Sequence, residues 1–205
     1  MTDAASGAGG ERPARGQLRS ALIAESFALL SEAGMAGFSV AELARRLGVS
    51  TAAPYRHFPH RDALLAVVAA QAADELARSI EAAAQAAGPD PIDRLAATAG
   101  AYVRHVSDRG AGFDVIFARE LRPLRDADVA RAGRDLMTLL LDLARQAGHA
   151  DPSRALLLLE QLFALAHGYV TLDTEDFLTR SRLSPEDVAT RATRAARALL
   201  RGNVT

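Results

Sequence analysis

Residues 39–58 read Ser-Val-Ala-Glu-Leu-Ala-Arg-Arg-Leu-Gly-Val-Ser-Thr-Ala-Ala-Pro-Tyr-Arg-His-Phe, and few folds accommodate that order. Ser39 is suited to cap a helix through its hydroxyl, Glu42 stands where its side chain can reach back to the Ser39 amide, and Phe38 and Leu43 occupy the two positions of a hydrophobic staple. Leu43, Ala44 and Leu47 recur at helical spacing and form one apolar edge, with Ala44 small enough for another helix to approach. Gly48 stops that helix, because it tolerates the left-handed conformation common just past a helix end. Ser50 or Thr51 then caps a second helix, and Pro54, lacking an amide hydrogen, is harmless only within its first turn.

A capping box and a glycine alone fit a helical hairpin built only for packing. The second half adds what packing does not need. Thr51, Tyr55, Arg56 and His57 gather two hydroxyls, a guanidinium and an imidazole, the groups that hold phosphate oxygens and base edges. The whole unit is the grammar of a DNA-reading helix–turn–helix. Charge leans the same way: residues 1–61 carry seven Arg against five acidic residues, the remainder 17 Arg against 20, within a net charge of −1.

Phe38-Ser39, Leu43-Ala44, Leu47-Gly48-Val49-Ser50 and Tyr55-Arg56-His57-Phe58, followed by Arg61-Asp62-Ala63-Leu64-Leu65, resemble the N-terminal domain of the TetR family of transcriptional regulators. The match spans roughly 17–68 and includes a preceding helix with Ile23, Phe27 and Leu30 on one stripe and Gly34 past its end. The resemblance implies that Tyr55 and His57 touch DNA phosphates and that Phe58 packs in the core. Ser39, Arg45, Ser50, Thr51, Ala52, Ala53 and Arg56 complete the expected DNA-facing set. Ala53-Pro54 departs from the small-then-aliphatic pair of many members, which bears on the base contacts.

The rest of the chain reads as helical throughout, with no sustained period-two alternation. Helices are expected over about 62–87, 91–106, 113–118, 126–146 and 152–172, and from 184 to about 201, each bounded by Gly, Pro or an Asp or Ser cap. The expected class is therefore all-α, with a flexible arm over 1–16, a three-helix DNA-binding domain over 17–62 and a helical effector-binding and dimerisation domain over 63–205. The arm has no apolar run of a secretory signal, and a cytoplasmic location follows. All basic side chains are Arg and Ala abounds, as a GC-rich coding sequence would produce.

Residues 155–166 are apolar except Glu160 and Gln161, and a helix apolar all round must be covered on every side. Those two residues, His167 and flanks without an anchoring pattern disfavour a membrane span. Burial between the chain's own core and a second subunit fits better. Leu156 and Leu159, with Val188, Ala192, Ala195 and Leu199 of the last helix, are the expected dimer contacts, and in the family the last two long helices pair with their copies as a four-helix bundle. The run from Ala166 to Asp173 resembles the C-terminal domain type named for a Trp-His-Gly motif, with Ala166 replacing the Trp.

Tyr102, Phe113, Phe117 and Phe163, with His105 and His167, fit either an effector pocket or plain core; for His167 the choices are cavity, dimer interface or a core histidine bonded to backbone. No cysteine, clustered His ligands, nucleophile elbow or phosphate loop is present, so neither catalytic residues, a metal nor a cofactor is expected. Taken with these residues, the resemblance implies a homodimeric transcriptional regulator, acting as a repressor that binds palindromic operator DNA and is released by a small apolar effector. Its rival is a helical small-molecule-binding or interaction protein without operator recognition.

Overall fold

The computed structural model describes residues 17–110, 113–124, 126–174 and 183–202; the arm over 1–16 and the Phe113 side chain lie outside what it describes. Eight α-helices and no strand occur among these residues: α1 (Leu18–Gly37), α2 (Val40–Arg46), α3 (Arg61–Ala86), α4 (Pro91–Arg109), α5 (Phe113–Ile116), α6 (Ala127–Gln146), α7 (Pro152–Thr174) and α8 (Pro185–Gly202). Two 3-10 turns, Pro54–Arg56 and Arg119–Leu124, complete the order. The protein is all-α.

Local chemistry sets most boundaries. Asp90 Oδ1 accepts from the amides of Ile92 and Asp93 at 2.8 and 3.1 Å, with Pro91 just inside the helix where its missing N–H costs nothing. Asp126 caps α6 in the same way. Ser184 and Asp187 cap α8 reciprocally: the Asp187 amide donates to Ser184 Oγ at 3.2 Å and the Ser184 amide to Asp187 Oδ2 at 2.9 Å. The Ser184 amide and then the Ser184 hydroxyl, both donating to Asp187 Oδ2, hold the Asp187 carboxyl below its ordinary value. The His60 ring caps α3, accepting from the Ala63 amide at 3.1 Å.

Buried side chains of all the long helices form one contiguous core. The helix α3 spans its length, burying Leu64, Leu65, Val68, Leu76 and Ile80 and packing on α1, α4 and α6. The tightest crossing is α4 on α8. A methyl at Gly100 would overlap Thr193 Oγ1 and approach the Ala189 carbonyl oxygen to 2.9 Å, so only a bare Cα lets the two backbones meet. The C-terminal end of α4 meets α1, with the Arg109 guanidinium 5.2 Å from the Phe27 ring centroid and bonded to Glu75 at 2.8 Å.

The inner face of α7 is Ala155, Leu158, Leu159, Leu162 and Ala166, all buried. The sequence places Leu159, Val188 and Ala192 at a dimer interface, yet each is 2% exposed or less within the single chain. They are intrachain core. The outward face of α7 instead carries Leu156 and Leu157, 49% and 55% exposed, while Ala195 and Leu199 of α8 are half-buried. By length and composition Pro152–Asp173 is apolar enough to cross a membrane, though Glu160 and Gln161 sit exposed within it.

Candidate nucleic-acid interface

The helix–turn–helix is held by a charge network on its inner side. Ser39 adopts an extended backbone and its Oγ accepts from the Glu42 amide at 3.4 Å, as the cap requires. The Glu42 carboxylate turns elsewhere: Arg45 donates to it from two nitrogens at 2.8 and 2.7 Å, and Arg46 Nε at 2.9 Å. Arg45 and then Arg46 hold the Glu42 carboxyl at about 2, well below its ordinary range. Arg46 also reaches α1, bonding Glu32 at 2.6 Å and Glu25 at 3.2 Å. It therefore fastens α2 to α1, a role the sequence alone does not reveal, since its partners lie far away along the chain. Arg61 fastens the other end, donating to the carbonyls of Met35 and Phe38 at 2.8 and 3.3 Å.

After α2 the chain turns in a Schellman arrangement, with the Val49 amide on the Ala44 carbonyl at 3.0 Å and the Gly48 amide on the Arg45 carbonyl at 3.2 Å. Gly48 sits at φ 62°, the conformation its missing Cβ permits. The second helix is shorter than the spacing predicts. Pro54 has no amide to offer the Ser50 carbonyl, which instead accepts from the Ala53 amide at 2.9 Å, and the segment closes as a 3-10 turn over Pro54–Arg56. No side-chain cap forms at its start.

That turn still sorts its side chains cleanly. Pro54 and Phe58 point into the core. Ser50, Thr51, Ala52, Tyr55, Arg56 and His57 face solvent, with Tyr55 52% exposed, and Ala53 is half-buried. Among the described residues, no protein group takes up the polar ends of Tyr55, Arg56 and His57. Arg45 is exposed but spent on Glu42, and Ser39 on its cap. The structure adds Arg19, stacked 5.4 Å over Phe58 and so set beside the turn; it is an exposed cation that no motif marked.

Among the described clefts, none gathers the residues expected around an effector. The Tyr102 ring is fully buried and packs edge-on to Phe163, centroids 6.1 Å apart at 74°. Tyr102 Oη and His167 Nδ1 are hydrogen-bonded at 3.0 Å, the direction following the imidazole tautomer. These three side chains meet between α4 and α7, and His167 itself is exposed. His105, 5% exposed, borders a polar cleft between α3 and α4 that includes Glu75 and Arg109. Of the described members of that set, Phe117 lines an apolar cleft, of about 520 Å³, between the α5 segment and α6.

Two family models match the chain: bacterial regulatory proteins of the tetR family over residues 22–68, and the tetracyclin repressor-like C-terminal domain over residues 95–199. A solved protein of unknown function from Rhodococcus sp. RHA1 is 31% identical, with a TM-score of 0.70, 94% of this chain and 98% of that chain being covered. The TetR family transcriptional regulator PfmR from Thermus thermophilus superposes with a TM-score of 0.64 at 20% identity, covering 90% and 99%. A TetR/AcrR family regulator from Thermobifida fusca gives 0.55 at 22% identity, covering 92% and 100%. No curated protein matches by sequence. The family models, like the Thermus and Thermobifida proteins, describe transcriptional regulators rather than enzymes. With the second model alone covering half of the sequence, this chain belongs to the TetR family of transcriptional regulators.

Proposed function

We propose that the protein is a homodimeric repressor that reads palindromic operator DNA in the cytoplasm and releases it when a small apolar effector binds the second domain. The observation that carries the DNA half is the exposed row Thr51, Tyr55, Arg56 and His57, unpartnered among the described residues on a turn braced by Arg46 and Arg61. Tyr55 and His57 hold phosphates, which set register, while Thr51 and Arg56 reach base edges.

The dimer half rests on the outward face of α7. Leu156, Leu157 and Leu172 stand exposed on α7, with Ala195 and Leu199 half-buried on α8, and these uncovered apolar side chains support an interaction site. A second copy covering it with the same face makes a closed two-fold assembly and presents two turns to two half-sites. Leu156, Leu157, Ala195 and Leu199 are then the contacts, and Leu159, Val188 and Ala192 the core behind them.

Titrating the purified protein onto the DNA upstream of its own coding sequence, over a series of salt concentrations, tests the reading. Affinity should fall linearly with salt on logarithmic axes and exceed that for unrelated duplex by about a thousandfold or more. Equal affinity for both duplexes would leave a DNA-silent relative, a reading that the abbreviated 3-10 turn favours.

A further inference from the structure

We infer that the cleft between the α5 segment and α6 binds an apolar monocarboxylate, with Arg134 receiving the carboxylate at its rim. The inference names a ligand class for the effector half of the function proposed above and rests on that reading only for its regulatory consequence.

The cleft holds about 520 Å³, within the range that encloses a small organic molecule. Among the described residues its walls are almost wholly apolar: Ile116, Phe117 and Leu121 on one side, Val129 and Met137 on the other. Two charged ones among the described residues, Asp126 and Arg134, complete it. They are not equivalent. Asp126 is already committed, its Oδ1 accepting from the amides of Asp128 and Val129 at 3.0 Å each to cap α6. Arg134 has no acceptor among the described residues, and its helical neighbours three and four positions away are Ala130, Arg131, Met137 and Thr138, none of them acidic. The adjacent Arg131, by contrast, is bonded to both Asp74 and Asp135. A planar guanidinium with free donors at the mouth of an apolar cleft matches a carboxylate bidentately, while the wall accepts the hydrocarbon.

Gly133 makes the site testable without damage to the fold. It lies in the cleft wall, and a Cβ built there meets nothing within 4 Å. Gly133→Leu therefore fills the cavity with a better helix former. The chain has no Trp, so binding is read by calorimetry on the full-length protein without DNA. Hexanoate, octanoate and decanoate should bind the wild type with affinity rising roughly fourfold per added methylene. Arg134→Gln should weaken octanoate about fivefold, the upper range for an exposed ion pair, and leave 1-octanol unchanged. Asp126→Asn keeps a good cap while removing the competing charge, and should tighten octanoate. Gly133→Leu should abolish binding of both.

Octanoate affinity that ignores Arg134→Gln, octylamine binding more tightly than octanoate, or octanoate binding that survives Gly133→Leu would each overturn the inference. If octanoate binds as described yet leaves DNA affinity untouched, the cleft stands and the effector role proposed above falls.

Discussion

At the scale of single residues, the division of labour around the turn yields sharp expectations. Tyr55→Phe and His57→Ala should lower affinity on every duplex alike, because phosphate contacts position without specifying, whereas Thr51 substitutions should change which base pairs are preferred. Affinities against a panel of operator variants separate the two behaviours. Glu42 offers a pH test. Its folded-state carboxyl is held at about 2 against an ordinary value near 4.5, so the stabilisation from pairing with Arg45 and Arg46 is fully present above that ordinary value. It is lost as pH falls through 2. The melting temperature of Glu42→Gln should accordingly lie below that of the wild type at neutral pH, and the gap should close as both are acidified from about pH 4.5 towards 2. The exposed setting keeps the effect small. Residue roles divide in legibility for a plain reason: Ser39, Gly48 and Phe58 act on near neighbours in sequence, while Arg46 acts on Glu25 and Glu32 across the fold.

At the scale of elements, boundaries are readable because caps are local chemistry. Asp90-Pro91, Asp126 and Ser184-Pro185-Glu186-Asp187 each announce a helix start, and the structure begins α4, α6 and α8 there. The second helix of the motif falls short of its expected length because Pro54 removes the one donor that would have closed its first α-turn, and Ser50 bonds one residue short. The facing of α7 departs from expectation for another reason: a helix apolar on all sides gives no contrast from which to phase it, so Leu159 and Leu157 are told apart only where α4 and α8 cover one of them. Two element-level substitutions follow. Gly48→Ala forces an L-residue to φ 62° and should cost about 1–2 kcal/mol in chemical denaturation, without moving the denaturant slope. Gly100→Val should do at least as much damage by prising α4 from α8, about 1–3 kcal/mol for overpacking.

At the scale of the whole molecule, sequence places aromatics on helices without saying how those helices face, and so does not tell which of them line a cleft. Tyr102 and Phe163 turn toward each other, and Phe117 opens onto a cleft. The same logic separates two leucines in the assembly. Leu157→Arg, at a position 55% exposed in the single chain, should give a folded monomer by sedimentation with weakened operator affinity. Leu159→Arg, at a position 2% exposed, should fail to fold, since an unpaired buried charge costs several kcal/mol, comparable to total stability.

The central claim, that two copies of the exposed turn read a symmetric duplex, meets its most direct test in selection of bound sequences from a random double-stranded pool by the full-length protein. The account predicts enrichment of an inverted repeat whose half-site centres lie about 34–36 Å apart or a multiple of it, and loss of that enrichment in the Tyr55→Phe, His57→Ala double variant. A pool that stays unenriched, or that yields a single unrepeated site bound equally well by the double variant, would contradict it.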